Sequence, residues 1–379
     1  MSSSFFFPTK LIVSEDAATD LLIELKDVSP DGVFVITDQG IMQAGIAEAM
    51  FQALKDAGFN PAVYSNVPGN PNIPDVKQAM EVISGRTITH VVAIGGGSVM
   101  DTAKAIGLLL GDKELDYEEV QWRRQLIKKS SLPVIGIPTT AGTGSEVTHV
   151  AVIGDSKGFK MGVLHPALFL KTAIIDGKLM RSLPPGLTAT TGMDALVHCI
   201  EAFLSKKSNS TADIFALGAI RAIVQWLPAA FQDGNNLEAR NAMAIAAAWA
   251  GIAFDQSSLG LVHALAGPLC GTYHLHHGLG VAVLLPATMD FNASAIPTNR
   301  WNLLREALML PADAKPQDLG AWARKTLKSL NMPTRLSELG LTPEKIPTIA
   351  ESAIKMAMIG LNIRSAGLED CKQILEAGL

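Results

Sequence analysis

The chain has 379 residues, of which 48% are hydrophobic, 18% charged and 6% aromatic. At that length a single core stops growing efficiently, so two domains are expected, and the apolar share excludes disorder and low-complexity scaffolds. Lys and Arg number 31 against 36 Asp and Glu, a net charge of -5 without basic runs, which excludes nucleic acid or an anionic membrane as the main partner.

The N-terminus, Met1-Ser2-Ser3-Ser4-Phe5-Phe6-Phe7-Pro8, has no basic region and an apolar run of only three residues, so no signal peptide is expected. No stretch approaches the ~18–20 consecutive apolar residues of a spanning helix. Cys199, Cys270 and Cys371 are too few and too scattered for a disulfide framework, and read as reduced thiols of a cytoplasmic protein.

From the start to about residue 180, short β-branched runs alternate with helix-period segments. Strands are predicted at residues 33–37, 62–64, 90–94, 133–137 and 173–175, each too short and too uniformly apolar for a surface helix. Helices are predicted at residues 41–57, 74–84 and 98–110, where apolar residues recur at three- and four-residue spacing. Such alternation implies a mostly parallel sheet covered on both faces, with ligands at the carboxyl ends of its strands. Past Leu183-Pro184-Pro185-Gly186 the strand signals stop, and helices follow at residues 193–204, 211–226, 237–254 and 260–274 and beyond. The expected division is an α/β domain over residues 1–182 and an all-α domain over 183–379.

Three loops of the first half have the chemistry of a nucleotide site. His90-Val91-Val92-Ala93-Ile94-Gly95-Gly96-Gly97-Ser98 runs a strand into three glycines, and Asp101-Thr102-Ala103-Lys104 opens a helix. Glycines let backbone N–H groups approach a phosphate, and the helix N-terminus adds its positive dipole end. Asp38 closes an earlier strand, where a carboxylate can accept from a ribose diol and repels a 2′-phosphate. It precedes the glycines, whereas the usual dinucleotide fingerprint has its acid ~20 residues after them. Pro138-Thr139-Thr140-Ala141-Gly142-Thr143-Gly144-Ser145-Glu146 again follows a strand directly.

In the helical half, Asp194 and His198 are four apart, which stacks both side chains on one helix face about 5–6 Å apart at Cβ. Farther on come His263 and the run Tyr273-His274-Leu275-His276-His277-Gly278. Six of the eight histidines, His149, His198, His263, His274, His276 and His277, lie in segments that could surround one site. A mixed carboxylate and imidazole set favours Fe(II) or Zn(II) over Mg or Ca.

Together these segments resemble the iron-containing (group III) alcohol dehydrogenase family. Gly95-Gly96-Gly97-Ser98 with Asp101, Ala103 and Lys104 matches its GGGSxxDxAK box, and residues 138–146 match its PTTAGTxSE box. Residues 189–198, Ala-Thr-Thr-Gly-Met-Asp-Ala-Leu-Val-His, resemble its AATGMDALxHxIE segment, which continues into Cys199-Ile200-Glu201. The resemblance covers nearly the whole chain. It implies a dehydroquinate synthase-like architecture, with an α/β dinucleotide-binding domain followed by an all-α domain.

The resemblance also implies a metal, Fe(II) with Zn(II) as its rival, held by Asp194, His198, His263 and His277, and NAD(H) lying between the two domains. By motif position Gly96, Gly97, Ser98 and Asp101 would hold the pyrophosphate. Thr139, Thr140 and Thr143 would line pyrophosphate and nicotinamide, while Asn70 and Lys160 would reach the ribose. Leu179 matches an apolar position near the adenine, and Asp38 matches the adenosine-ribose position, so NAD is expected over NADP. Phe254 matches a position on the substrate wall, and with Leu259 it suggests a small, partly apolar pocket for short primary alcohols and aldehydes. Metal-dependent hydride transfer between a small alcohol and NAD, in a cytoplasmic homodimer, is the implied function. A hydroxyacid–oxoacid transhydrogenase, or a polyol or maleylacetate-type reductase, is the alternative. Dehydroquinate-synthase-like lyase chemistry would need a Lys and Arg cluster that is not seen near these ligands, and an NAD sensor would have no need of the metal.

One position departs from the family pattern. After His263 the family reads H-x-x-x-H, and here the second histidine is replaced by Gly267. His149 or His274 is expected to supply the polar contact that this histidine would make.

Overall fold

The computed structural model describes residues 5–157 and 160–379. The N-terminal run read for a leader thus lies partly outside the described residues. The chain divides into two compact units, one holding Phe7–Thr140 and Gly144–Ser182, the other Leu183–Leu379 with Ala141–Thr143 and the segment ending at Phe6.

The first unit is a parallel α/β layer structure. Its strands in chain order are β1 (Lys10–Val13), β2 (Val33–Ile36), β3 (Ala62–Tyr64), β4 (His90–Gly95), β5 (Val134–Pro138), β6 (Val150–Gly154), β7 (Lys160–Leu164) and β8 (Thr172–Ile175). Six of them form one sheet in the order β1-β8-β5-β4-β2-β3, with every pairing parallel. Alternate residues feed opposite cores: Phe34, Ile36, Val91 and Ala93 enter one cluster, and Val33, Val35, Val92 and Ile94 the other. That is why these strands read as unbroken apolar runs. The helices α1 (Ala17–Glu24), α2 (Gln39–Gln43), α3 (Glu48–Asp56), α4 (Ile73–Glu81), α5 (Gly97–Gly111) and α6 (Tyr117–Gln121) connect the strands.

The strand order reverses at β2. The chain leaves β2 for the edge strand β3, and leaves β4 in the opposite direction for β5. The loops after β2 and β4 therefore diverge, and a crevice opens at the carboxyl ends of those two neighbouring strands. Asp38 and the three glycines stand at this reversal.

The structure departs from the sequence expectations in three places. The helix expected over residues 41–57 is two helices, because Gly45 at φ +68° turns the chain between them. The strand β1 carries no strong apolar run, since only its middle residues are half-buried and its order comes from pairing with β8. Finally, β6 and β7 make an antiparallel hairpin that the sequence expectations did not include, with Val152 and Leu164 exposed although Val150–Ile153 is an apolar run.

The second unit is helical. It contains α7 (Pro185–Leu204), α8 (Ser210–Gln232), α9 (Leu237–Ser257), α10 (Leu261–Tyr273), α11 (His277–Asn292), α12 (Thr298–Ala307), α13 (Leu319–Ser329), α14 (Ile346–Ala353) and α15 (Leu368–Ala377). α7 starts earlier than its apolar periodicity suggested because Pro185 suits a first helical position, where no N–H donor is required. The sequence suggested no spanning segment, yet α8 reaches a mean hydropathy of 1.6 and is long and apolar enough to cross a membrane by length and composition, with 33% of that window buried. Averaging tolerates Arg221, which breaks the consecutive apolar run.

Candidate metal and dinucleotide sites

The dinucleotide cradle is assembled mostly from backbone. Gly96 is the N-cap of α5, no side chain caps this end, and its first turn holds no acidic residue. The N–H groups of Gly97 and Ser98 thus stand at an uncapped helix N-terminus, where an anion is stabilised by both hydrogen bonds and the helix dipole. The Ser98 hydroxyl donates to the Gly69 carbonyl (2.6 Å), which fastens the 67–71 loop to this turn. On that loop Asn70 accepts from Lys160 Nζ at 2.5 Å. The two residues assigned to the ribose are therefore brought together.

Thr139 closes the strand β5, its amide donating to the Gly95 carbonyl (3.0 Å). Its hydroxyl is buried and has no hydrogen-bond partner among the described residues. A buried orphan hydroxyl costs about 1–3 kcal/mol unless a ligand supplies a partner, so it fits a bound nucleotide. Thr140 lies against Gly96, where a Cβ would come within 3.3 Å of its hydroxyl. Asp38 caps α2, its Oδ1 accepting from the Ile41 amide (2.9 Å). Leu179 sits in a short 3-10 turn after β8, capped by Asp176 and packed on the core of Val33 and Val35.

Asp101 has a task the motif did not announce. Its carboxylate accepts from Ser145 Oγ (2.6 Å) and from the Val152 amide (2.9 Å). These bonds hold α5 to the segment that follows the threonine loop. Lys104, buried, completes the lock by donating to Ser145 Oγ (3.0 Å), Thr148 Oγ1 (3.1 Å) and the Val150 carbonyl (2.6 Å). Glu146 is buried beside this cluster, and burial pushes its carboxyl up to about 7 against the pull of Lys104. Thr143 falls in the segment 141–143 that clusters with the helical unit.

The metal site is made from side chains of α7, α10 and α11. Asp194 and His198 stack one turn apart on α7, as their spacing required. Gly278, in the first turn of α11, passes so close to α7 that a Cβ would meet the Thr190 carbonyl at 2.4 Å, and this approach carries His277 to Asp194. Around Asp194 Oδ1 lie His198 Nε2 at 3.8 Å, His263 Nε2 at 3.9 Å and His277 Nε2 at 3.8 Å. The ligand atoms of Asp194, His263 and His277 all lie within 4.8 Å of one another. His198 joins them by stacking on His263 with ring centroids 4.6 Å apart.

These residues fit a divalent cation. Separations of 3.8–3.9 Å are too long for hydrogen bonds, and a tetrahedral cation with bonds of about 2.1 Å holds its ligand atoms about 3.4 Å apart. Asp194 Oδ1 and His263 Nε2 are buried with no hydrogen-bond partner among the described residues. Burial, and then the neighbouring His263, hold His198 well below its usual pKa, which keeps the imidazole neutral as a ligand must be.

Glu201 is the functional residue that the sequence reading quoted without giving it a role. Buried one helical turn after His198, it accepts from His263 Nδ1 (2.6 Å), the Gly260 amide (3.0 Å) and the Val262 amide (2.6 Å). With Nδ1 donating to a carboxylate, His263 presents an unprotonated Nε2 to the metal position. The available signal was the three-residue step from His198, which places a carboxylate on the neighbouring stripe of the same helix.

The remaining candidates are dispersed. Phe254 borders the cluster, its ring stacked on His198 at 4.5 Å. His274 ends α10 in a left-handed conformation (φ +51°) and is exposed. His149 belongs to the α/β unit, where its ring packs on Phe169 at 5.5 Å and its carbonyl accepts from the His165 amide.

The family models agree with this geometry. Residues 8–177 match the model of the iron-containing alcohol dehydrogenases, and residues 188–379 match the C-terminal model of the same family. The chain belongs to the iron-containing alcohol dehydrogenase family. It is 34% identical to the NAD-dependent methanol dehydrogenase of Bacillus methanolicus over the full length of both chains. It is 38% identical to alcohol dehydrogenase 4 of Saccharomyces cerevisiae (strain YJM789), over 93% of this chain and 92% of that one. The structure superposes with a TM-score of 0.92 on a sulfoacetaldehyde reductase from Bifidobacterium kashiwanohense solved with NAD+, at 26% identity, covering 100% of this chain and 99% of the other. An oxidoreductase of the alcohol dehydrogenase class, with a parallel α/β domain followed by a helical one, is thereby established.

Proposed function

We propose that this dehydrogenase interconverts small primary alcohols and aldehydes with NAD(H), using Fe(II) held by Asp194, His198, His263 and His277. The observation that carries the reading is the buried, unpartnered Asp194 oxygen ringed by three imidazole nitrogens at 3.8–3.9 Å. When bound, the cation supplies Lewis acidity toward the alcohol oxygen and NAD supplies the hydride acceptor.

The protein's own contribution is positioning and charge. Asp194 brings the one formal negative charge of the ligand set, and the neutral imidazoles complete the chelate without cancelling the cation's charge. Glu201 fixes the His263 ring, and Phe254 shields one side of His198 from water. At the cofactor, Gly96, Gly97 and Ser98 offer N–H groups to the pyrophosphate, Thr139, Thr140 and Thr143 line it toward the nicotinamide, and Asp101 braces the loop. Asn70 and Lys160 reach the ribose, Leu179 packs near the adenine, and the Asp38 carboxylate takes the adenosine diol and disfavours NADP. His149 or His274 supplies the polar contact that Gly267 does not.

We also propose that the chain acts in the cytoplasm as a homodimer. In support, the three cysteines are buried and none forms a disulfide among the described residues, and Phe6 (56%) and Ile214 (71%) leave apolar surface exposed on the helical unit. Light scattering that returned a monomer mass would overturn the dimer.

The deciding experiment follows NADH absorbance of anaerobically purified protein loaded with Fe(II) or Zn(II), against a panel of primary alcohols and aldehydes. Metal-dependent turnover is expected, and is expected to vanish in Asp194→Ala. Absence of turnover with either metal, despite NAD binding, would point instead to a transhydrogenase that retains its cofactor.

A further inference from the structure

The two buried imidazoles of the chelate are held differently on the edges that face away from it. His263 donates from Nδ1 to Glu201 at 2.6 Å. His198 Nδ1 is also buried, but makes no hydrogen bond of ordinary geometry among the described residues. The His198 ring stacks against Phe254 with centroids 4.5 Å apart and against His263 at 4.6 Å, and the residue is only 5% exposed, so water has little access to that edge. A metal-binding imidazole almost always donates its second N–H to a carboxylate, a carbonyl or a water, and a buried N–H left unpaired is costly. His198 therefore needs an acceptor from the protein.

One backbone segment stands at that edge. Ala141–Thr143 clusters with the helical unit. Gly142 is buried and lies so close to α7 that a Cβ would meet Thr191 Cβ at 2.8 Å, and Thr191 Cα and its carbonyl oxygen at 3.1 Å. Thr191, Asp194 and His198 follow one another at three- and four-residue steps on one face of α7. Helical side chains lean toward the N-terminus, so the His198 ring reaches back toward Thr191 and the segment packed on it. Burial, and then His263, lower the pKa of His198, whereas the Gly142 backbone raises it, the sign of a carbonyl beside an N–H donor. Any side chain at position 142 would push this carbonyl away from α7, so glycine is required there by close approach.

We propose that Gly142 is a positioning residue of the metal site, its carbonyl accepting from His198 Nδ1 in the metal-loaded protein and so fixing the tautomer that turns Nε2 to the metal. The assignment rests on the metal reading above, in which His198 is a ligand. It gives the threonine loop a second task. Thr143, which that reading places on the cofactor, follows Gly142 directly, so one short segment serves both the cofactor and the chelate.

The test uses the full chain loaded with Zn(II) and carrying isotopically labelled histidine, read by nuclear magnetic resonance. In wild type the His198 Nδ1 proton, assigned by its absence in His198→Gln, should resonate downfield, exchange slowly with water and show a nuclear Overhauser contact to the Gly142 α-protons. In Gly142→Ala that proton should move upfield and exchange faster. Zn(II) affinity, measured by competition with a chromogenic chelator, should fall by about 10–100-fold in the same variant. Adding Thr191→Gly, which removes the nearest obstacle to the new methyl group, should restore part of both the resonance and the affinity. A wild type that binds Zn(II) without a protected His198 Nδ1 proton, or with one that contacts residues other than Gly142, overturns the assignment. So does a Gly142→Ala protein that keeps the resonance, whether its Zn(II) affinity holds or falls, because a loss would then come from general disruption. If Gly142→Ala does not fold, the wild-type spectrum alone decides. A wild type that binds no Zn(II) at all overturns the metal reading, and this inference with it.

Discussion

On the proposed reading, the turn from β4 into α5 and the cluster on α7, α10 and α11 solve the same problem, holding a charged group, with opposite materials. At β4–α5 the donors are backbone amides, so the residues that matter are chiefly ones lacking side chains, and they are contiguous: Gly95, Gly96 and Gly97, followed by Ser98. On the helices the donors are side chains, and they come from positions as far apart as Asp194 and His277. A backbone-built site is fixed once the strand and helix form. A chelate depends on three helices packing correctly and on neighbours such as Glu201 that hold each ring.

The sharpest break of this comparison is Glu201→Gln. The carboxylate accepts three hydrogen bonds, whereas a carboxamide presents one oxygen and an amino group, so at least one donor among His263 Nδ1 and the Gly260 and Val262 amides loses its partner. Metal affinity, measured by competition with a chromogenic chelator, should fall 10–100-fold, while NAD affinity of the metal-free protein should stay at the wild-type value. Equal losses of both would mean that Glu201 supports the fold generally rather than the chelate.

Asp38→Asn probes the other region. Asparagine also caps helices well, so α2 should keep its start, but the negative charge is gone. The ratio of kcat/KM for NADP to that for NAD should rise by about tenfold, from a weakened bond to the ribose diol and relief of repulsion toward a 2′-phosphate. Metal affinity should not change. A ratio that does not move would remove Asp38 from the cofactor site and leave it as a helix cap alone.

The same contrast explains what the sequence disclosed. Gly95–Ser98 follows an apolar run and opens a helix, so its local string nearly states its structure, and Asp194 with His198 declares a shared face through spacing alone. The antiparallel hairpin β6–β7 was not evident although Val150–Ile153 is an apolar run, because its pairing with Lys160–Leu164 is set by folding and leaves Val152 and Leu164 exposed. The break at Gly45 went unread because residues 41–57 keep helical periodicity on either side of it. Asp101 is assigned to the pyrophosphate because it shares a box with the glycines, a box that also holds Lys104. Their partners Ser145, Thr148, Val150 and Val152 lie far along the chain, so only folding shows that both brace α5. Glu201 belongs to the same class, since its meaning comes from Gly260, Val262 and His263, and no periodicity on α7 points to them.

That bracing cluster carries a pH dependence opposite in sign to that of the buried His198 in the helical site. Glu146 is buried, and burial raises its carboxyl from the usual 4.5 to about 7, with Lys104 pulling the other way. The folded chain therefore holds this proton more tightly than the unfolded chain does. For an acid with a raised folded pKa the stabilisation is complete below 4.5, declines as pH rises from there, and is gone once pH passes about 7. Glu146→Gln keeps the shape of the neutral acid and cannot ionise. Its melting temperature should match wild type near pH 4.5 and exceed it at pH 8 by about 2–4 °C, with the gap opening between those limits. A gap that widened toward acid instead would mean that Glu146 is held ionised against Lys104, and that the lock behind the glycine turn is an ion pair rather than a neutral acid beside a solvated-by-hydroxyl ammonium.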